Sequence, residues 1–144
     1  MTRVDFYILD SNDNVERNRF ACRLAEKAWQ QDNQVYLHTQ NNQQSQQLDQ
    51  LLWNWRQASF VPHQQQGQAD DADCPVLIGY AHEPEGTHQI LINLDHEVPG
   101  FFSRFERVIE IVDQDEKIKQ KARDRFSFYR DRGYDLNTHN INHH

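Results

Sequence analysis

Val4-Asp5-Phe6-Tyr7-Ile8-Leu9 runs into Asp10-Ser11-Asn12-Asp13-Asn14, then into a helical pattern from Val15 to Gln31 and the short apolar run Val35-Tyr36-Leu37-His38. The first run is rich in aromatic and β-branched residues and stops at a cluster of turn formers, which reads as a strand and its loop. In the next, Phe20, Leu24, Ala28 and Ala21, Ala25, Trp29 recur at helical spacing, so one face is apolar, and Asn33 marks its end. A second helix is expected over Ser45 to Trp55, where Leu48, Leu51, Leu52 and Trp55 stand at i, i+3, i+4 and i+7. Further strands are expected at Val76–Tyr80, Gln89–Asn93 and Arg107–Val112, with a short helical piece around Pro99–Phe105. Strands alternating with helices imply an α/β fold: a mostly parallel sheet with helices on both faces.

A chain of 144 residues suits one domain. The mean hydropathy of −0.96 is low, but an aromatic share of 11% argues for a packed core, and the polar excess sits in Gln-, Asn- and His-rich stretches. One such stretch, Phe60 to Ala72, reads as an irregular excursion. The domain is expected over residues 1–138, with His139 to His144 a flexible tail. No apolar run is long enough for a membrane span, the N-terminus lacks a signal-peptide pattern, and a cytosolic location is expected. Cys22 and Cys74 lack CxxC spacing and read as reduced structural thiols.

The glycines argue against a nucleotide site. Gly67, Gly79, Gly86, Gly100 and Gly133 make neither GxGxxG nor a P-loop, and the loop after the first strand carries Asp10 and Asp13 where a phosphate would sit. His139 and His143 have the spacing of a helical metal pair but lie in sequence without helix-forming character, and Asp70, Asp71 and Asp73 match no calcium loop. No cofactor or metal is expected. Neither cysteine has a histidine close in sequence, and no GxSxG elbow exists.

Charge is distributed unevenly. From Asp115, a natural helix cap, to Arg132 there are seven basic and four acidic side chains, a net +3, whereas the chain as a whole is −7 and the remainder therefore −10. That balance disfavours direct nucleic-acid binding. At helical period Ile118, Ala122 and Tyr129 form one stripe, Lys119, Arg123 and Arg130 another, and Phe126 stands on the border. An aromatic flanked by cations suits an acidic peptide ending in a hydrophobic side chain and a carboxylate. The same pattern also fits an ordinary helix with one buried and one solvated face. A second segment, Ser59-Phe60-Val61-Pro62-His63, follows Trp53 and Trp55 and reads equally as a rigid exposed knob or as core.

Taken in order, Phe6-Tyr7-Ile8-Leu9-Asp10, Leu48-Asp49-Gln50-Leu51-Leu52-Trp53, Ser59-Phe60-Val61-Pro62-His63 with Gly67, Lys119-Gln120-Lys121-Ala122-Arg123-Asp124-Arg125-Phe126, Tyr129-Arg130, Gly133-Tyr134 and Leu136-Asn137-Thr138 resemble the chi subunit family of the bacterial DNA polymerase III clamp loader. The resemblance implies a single Rossmann-like domain without a nucleotide-binding glycine loop. It further implies a non-catalytic adaptor, accessory to a DNA-directed DNA polymerase and found with the replisome. One surface would bind the psi subunit, joining the clamp loader, and another the acidic, Phe-terminated tail of single-stranded DNA-binding protein (SSB). Carried over by position, Lys119, Arg123, Phe126, Ser127 and Arg130 belong to the tail site, and Trp53, Phe60, Val61 and Pro62 to the psi-facing segment. Ser127 stands where the family often has lysine, and Phe126 where it often has tyrosine. A repair helicase is an alternative occupant of the psi-facing surface. A small α/β enzyme or nucleotide-binding domain with an unconventional site is the competing reading.

Overall fold

A computed structural model describes residues 2–54, 61–86 and 88–142. Its sheet has seven parallel strands in the order β3-β4-β2-β5-β6-β1-β7: β1 (Arg3–Leu9), β2 (Val35–His38), β3 (His63–Gln65), β4 (Val76–Gly79), β5 (Ile90–Asn93), β6 (Arg107–Val112) and β7 (Asp135–Ile141). The helices are α1 (Asn14–Gln30), α2 (Asn42–Trp53) and α3 (Glu116–Asp131). This is the α/β architecture expected, with helices on both faces.

Strand periodicity divides the core into two layers. Leu9, Val35, Leu37, Ile78, Ile92, Ile109 and Ile111 pack with α1 and α2, while Val4, Phe6, Tyr36, Leu77, Leu91, Val108 and Val112 pack with α3 and the short 3-10 turn Phe102–Arg104. Because both faces are covered, central strands read as continuous apolar runs, which is why they were legible. Each helix starts on a side-chain cap: Asp13 accepts from Val15 N, Asn41 from Gln44 N, and Asp115 from Lys117 N and Ile118 N. Helix α3 stops where Gly133, at φ +78°, lets the amides of Gly133 and Tyr134 bond back to the carbonyls of Arg130 and Tyr129.

Two expectations need correction. The stretch placed in an irregular excursion contains edge strand β3, and the domain does not end at residue 138. Strand β7 continues through His139 to Ile141, in parallel register with β1. His139 lies 3.1 Å from the Asp5 carboxylate and stacks on Tyr7 at 4.6 Å between centroids. Both strands lie at sheet edges, where only one neighbour supplies hydrogen bonds and side chains stay polar, so neither carries an apolar signature.

Candidate functional site: a cation-bordered apolar pocket on α3

Helix α3 is held to the sheet by buried polar bonds as well as apolar packing. Glu110 on β6, fully buried, accepts from Arg125 Nε (2.9 Å), Tyr129 Oη (2.8 Å) and Asn93 Nδ2 (3.1 Å). Arg125 also donates to the His96 carbonyl at 2.9 Å, and Asn93 Oδ1 lies 3.0 Å from His38 Nδ1. The chain of contacts thus crosses from β2 through β5 and β6 to α3. Arg125 is therefore no part of the basic surface, although sequence counting included it. Ala122 and Tyr129 are buried and Ile118 half-buried, as the helical stripe requires.

With α3 fixed in this way, Phe126 meets Phe6 edge-on at 5.3 Å, and a pocket of about 190 Å³ opens between the helix and the ends of β1 and β6. Phe6, Ile8, Val112, Ala122 and Phe126 give it an apolar lining, and Gln114, Lys119 and Arg123 supply its polar groups. A dry cavity of about 150 Å³ suffices for one benzene ring. Among the described residues Lys119 has only a loose pair with the highly exposed Glu116, at 3.7 Å, and Arg123 donates only to Gln120, at 3.4 Å. Both cations can turn to an incoming anion at little cost.

The structure thus brings Lys119, Arg123 and Phe126 together, but Ser127 and Arg130 do not line the pocket. Arg130 points to the neighbouring Asp131 carboxylate at 3.4 Å. The strand residues Phe6, Ile8 and Val112 and the loop residue Gln114 were missed. The alternation of β1 puts Phe6 and Ile8 on one face, but only the return of α3 from β6 over β1 shows which helix covers them.

The second segment is divided. Trp53, 60% exposed at the end of α2, packs edge-on against His63 with centroids 5.2 Å apart. Pro62 is half-buried. Val61 corrects the sequence expectation: it is wholly enclosed in the α1/α2 core, so it anchors this segment and presents no contact surface. Phe60 lies outside the described residues.

At the carboxyl ends of β1, β5 and β6 on the α1 face, one of the places where α/β folds hold ligands, side chains of the chain itself occupy the space. The Asp13 carboxylate caps α1, and the buried Arg17 guanidinium sits 3.5 Å from the carbonyls of Leu94 and Ile111. Burial lowers the pKa of Arg17, with the nearby Asp113 carboxylate opposing that shift. Among the described residues no group of three or more His, Cys, Asp or Glu is placed to hold a metal, and no helix is long and apolar enough to cross a membrane.

Comparison with known proteins follows the same lines. Residues 1–137 match the family described as "DNA polymerase III chi subunit, HolC". The chain is 49% identical over 142 residues to the DNA polymerase III subunit chi of Pseudomonas aeruginosa, covering 98% of both chains. It is 30% identical to the Escherichia coli protein of the same name, covering 96% of this chain and 97% of that one. A crystal structure of T4 UvsW superposes with a TM-score of 0.68 over 98% of this chain at 10% identity. The chain spans 42% of that protein's length, and the likeness is one of fold.

Proposed function

The chain belongs to the DNA polymerase III chi subunit family, and we propose that it is a non-catalytic adaptor whose α3 pocket takes the acidic, Phe-terminated tail of SSB. A replication accessory role follows from the family itself. The observation that supports the first partner is the pocket: a ring-sized apolar hollow bordered by two loosely paired cations. In this reading the terminal ring of the tail enters between Phe6, Ile8 and Phe126, while Arg123 and Lys119 meet the terminal carboxylate and the acidic side chains before it.

The psi subunit is assigned to the surface around Trp53, Phe60 and Pro62, joining the chain to the clamp loader. Trp53 supports that assignment as the most exposed of the large apolar side chains among the described residues, held in a fixed orientation by His63. The two surfaces lie on different elements, α3 against β1 and β6 for one and the end of α2 beside β3 for the other, so both partners can bind at once.

Fluorescence anisotropy with a labelled acidic peptide ending in Pro-Phe tests the pocket. Removing the terminal ring should cost the burial of about 100 Å² of apolar surface, about 2 kcal/mol or thirtyfold in affinity. Equal binding of peptides with terminal Phe and terminal Ala would remove the pocket from the account.

A further inference from the structure

On the opposite face of the sheet, one buried carboxylate carries more positive charge than it can balance. Asp5 lies 2.6 Å from Arg107 Nε, 3.4 Å from Arg3 Nε and 3.1 Å from His139 Nε2. Arg107 also donates from Nη2 to the Tyr7 hydroxyl at 2.7 Å. Two guanidiniums on one carboxylate leave a surplus of one charge, and among the described residues Arg3 makes no bond from either Nη, nor Arg107 from Nη1. The other buried pair of this sheet, Glu110 with Arg125, is balanced one to one.

The surplus faces a cavity. A cleft of about 580 Å³ lies between the C-terminal half of α1 and the starts of β1, β5 and β6. Among the described residues Arg3, Arg107 and the exposed Lys27 line it against a single carboxylate, Glu106. Lys27 has no ion pair among the described residues. Tyr7, Leu24 and Ile109 give the cleft an apolar floor, and the side-chain amides of Gln31, Asn33 and Gln89 stand at its rim.

We propose that this cleft is a second docking site, independent of α3, for a protein segment in which acidic side chains stand beside aliphatic or aromatic ones. Guanidinium forks with open outer edges match carboxylates in geometry, the floor takes the apolar neighbour, and rim amides can both donate to and accept from a peptide backbone. A phosphate is the poorer match. Phosphate sites use helix N-termini or glycine nests, and the lining of this cleft includes neither. The same geometry, with a net charge of −7, sets nucleic acid aside.

The test is amide chemical-shift mapping of the ¹⁵N-labelled full chain with acetyl-Asp-Leu-Asp-Phe-amide, which lacks the free terminal carboxylate used at α3. Probes for comparison are acetyl-Asn-Leu-Asn-Phe-amide and deoxyadenosine monophosphate. The acidic peptide should shift Tyr7, Lys27, Gln31 and Arg107 equally in the native chain and in Arg123→Ala. Lys27→Glu, an exposed change that leaves the Asp5 cluster intact, should weaken these shifts about fivefold in affinity. Shifts confined to α3, equal response to the neutral peptide, or a stronger response to the nucleotide would each overturn the proposal. Only the first of these bears on the α3 pocket as well, and it would support that site.

Discussion

Replacing Glu110 by Gln keeps the side chain's size and removes one charge from the middle of the fold. Both carboxylate oxygens are committed: Oε1 to Arg125, Oε2 to Tyr129 and Asn93. All three partners are donors, so whichever way the new amide turns, its NH₂ confronts at least one of them. Arg125, 4% exposed, would keep its charge with no carboxylate to balance it, held only by neutral acceptors such as the His96 carbonyl. Breaking a buried pair from one side costs roughly 3–5 kcal/mol, a large share of the ~5–15 kcal/mol that holds a typical domain together. In urea, with a slope near 2 kcal/mol per molar, the unfolding midpoint should fall by about 1.5–2.5 M at unchanged slope. Circular dichroism at 222 nm reads it. Arg125→Met in the same chain should recover part of the loss, since it removes the stranded charge. A single-variant loss below about 1 kcal/mol would refute the view that this network fixes α3.

Trp53→Ala should leave the unfolding free energy within about 0.5 kcal/mol of native, because the ring is mostly exposed, yet weaken psi binding by about 2 kcal/mol in titration calorimetry; unchanged affinity would move the psi surface elsewhere. His88 is 2% exposed and its Nδ1 has no partner among the described residues, and burial holds its pKa below the ordinary 6.5, with the Cys74 carbonyl opposing and Arg104 adding to the shift. The unfolded chain therefore binds the extra proton first. Stability should decline as pH falls from about 6.5, by at most about 1.4 kcal/mol per unit for one proton, and His88→Gln should reduce the slope. Burial pushes the Cys22 thiol up to about 12 and raises that of Cys74, so neither should react with iodoacetamide at pH 8 until the chain is unfolded; rapid labelling of the native protein would contradict this packing.

How much the sequence disclosed depended on burial. Strands β2 and β6 were legible to the residue, and β1, β4 and β5 to within one, since strands covered on both faces are predominantly apolar, with Asp5 and Glu110 the buried charges in β1 and β6. Edge strands β3 and β7 were not, because His63-Gln64-Gln65 and Asp135 to Ile141 take their order from pairing with distant β4 and β1. The candidate site was half legible. Helical spacing set Lys119, Arg123 and Phe126 side by side, but it could not separate Arg125, which turns inward to Glu110, from the cations that face solvent. Nor could it supply Phe6 and Ile8, which reach the pocket only through the topology.

The central claim is that α3 and the sheet form a site for an acidic, Phe-terminated peptide. Its most direct measurement is the affinity of that peptide for the native chain and for Arg123→Ala, at low and moderate salt. The account predicts micromolar binding, about 8 kcal/mol, that weakens as salt rises and falls at least about tenfold in the variant. Binding that is absent at both salts, or that ignores Arg123, would contradict it.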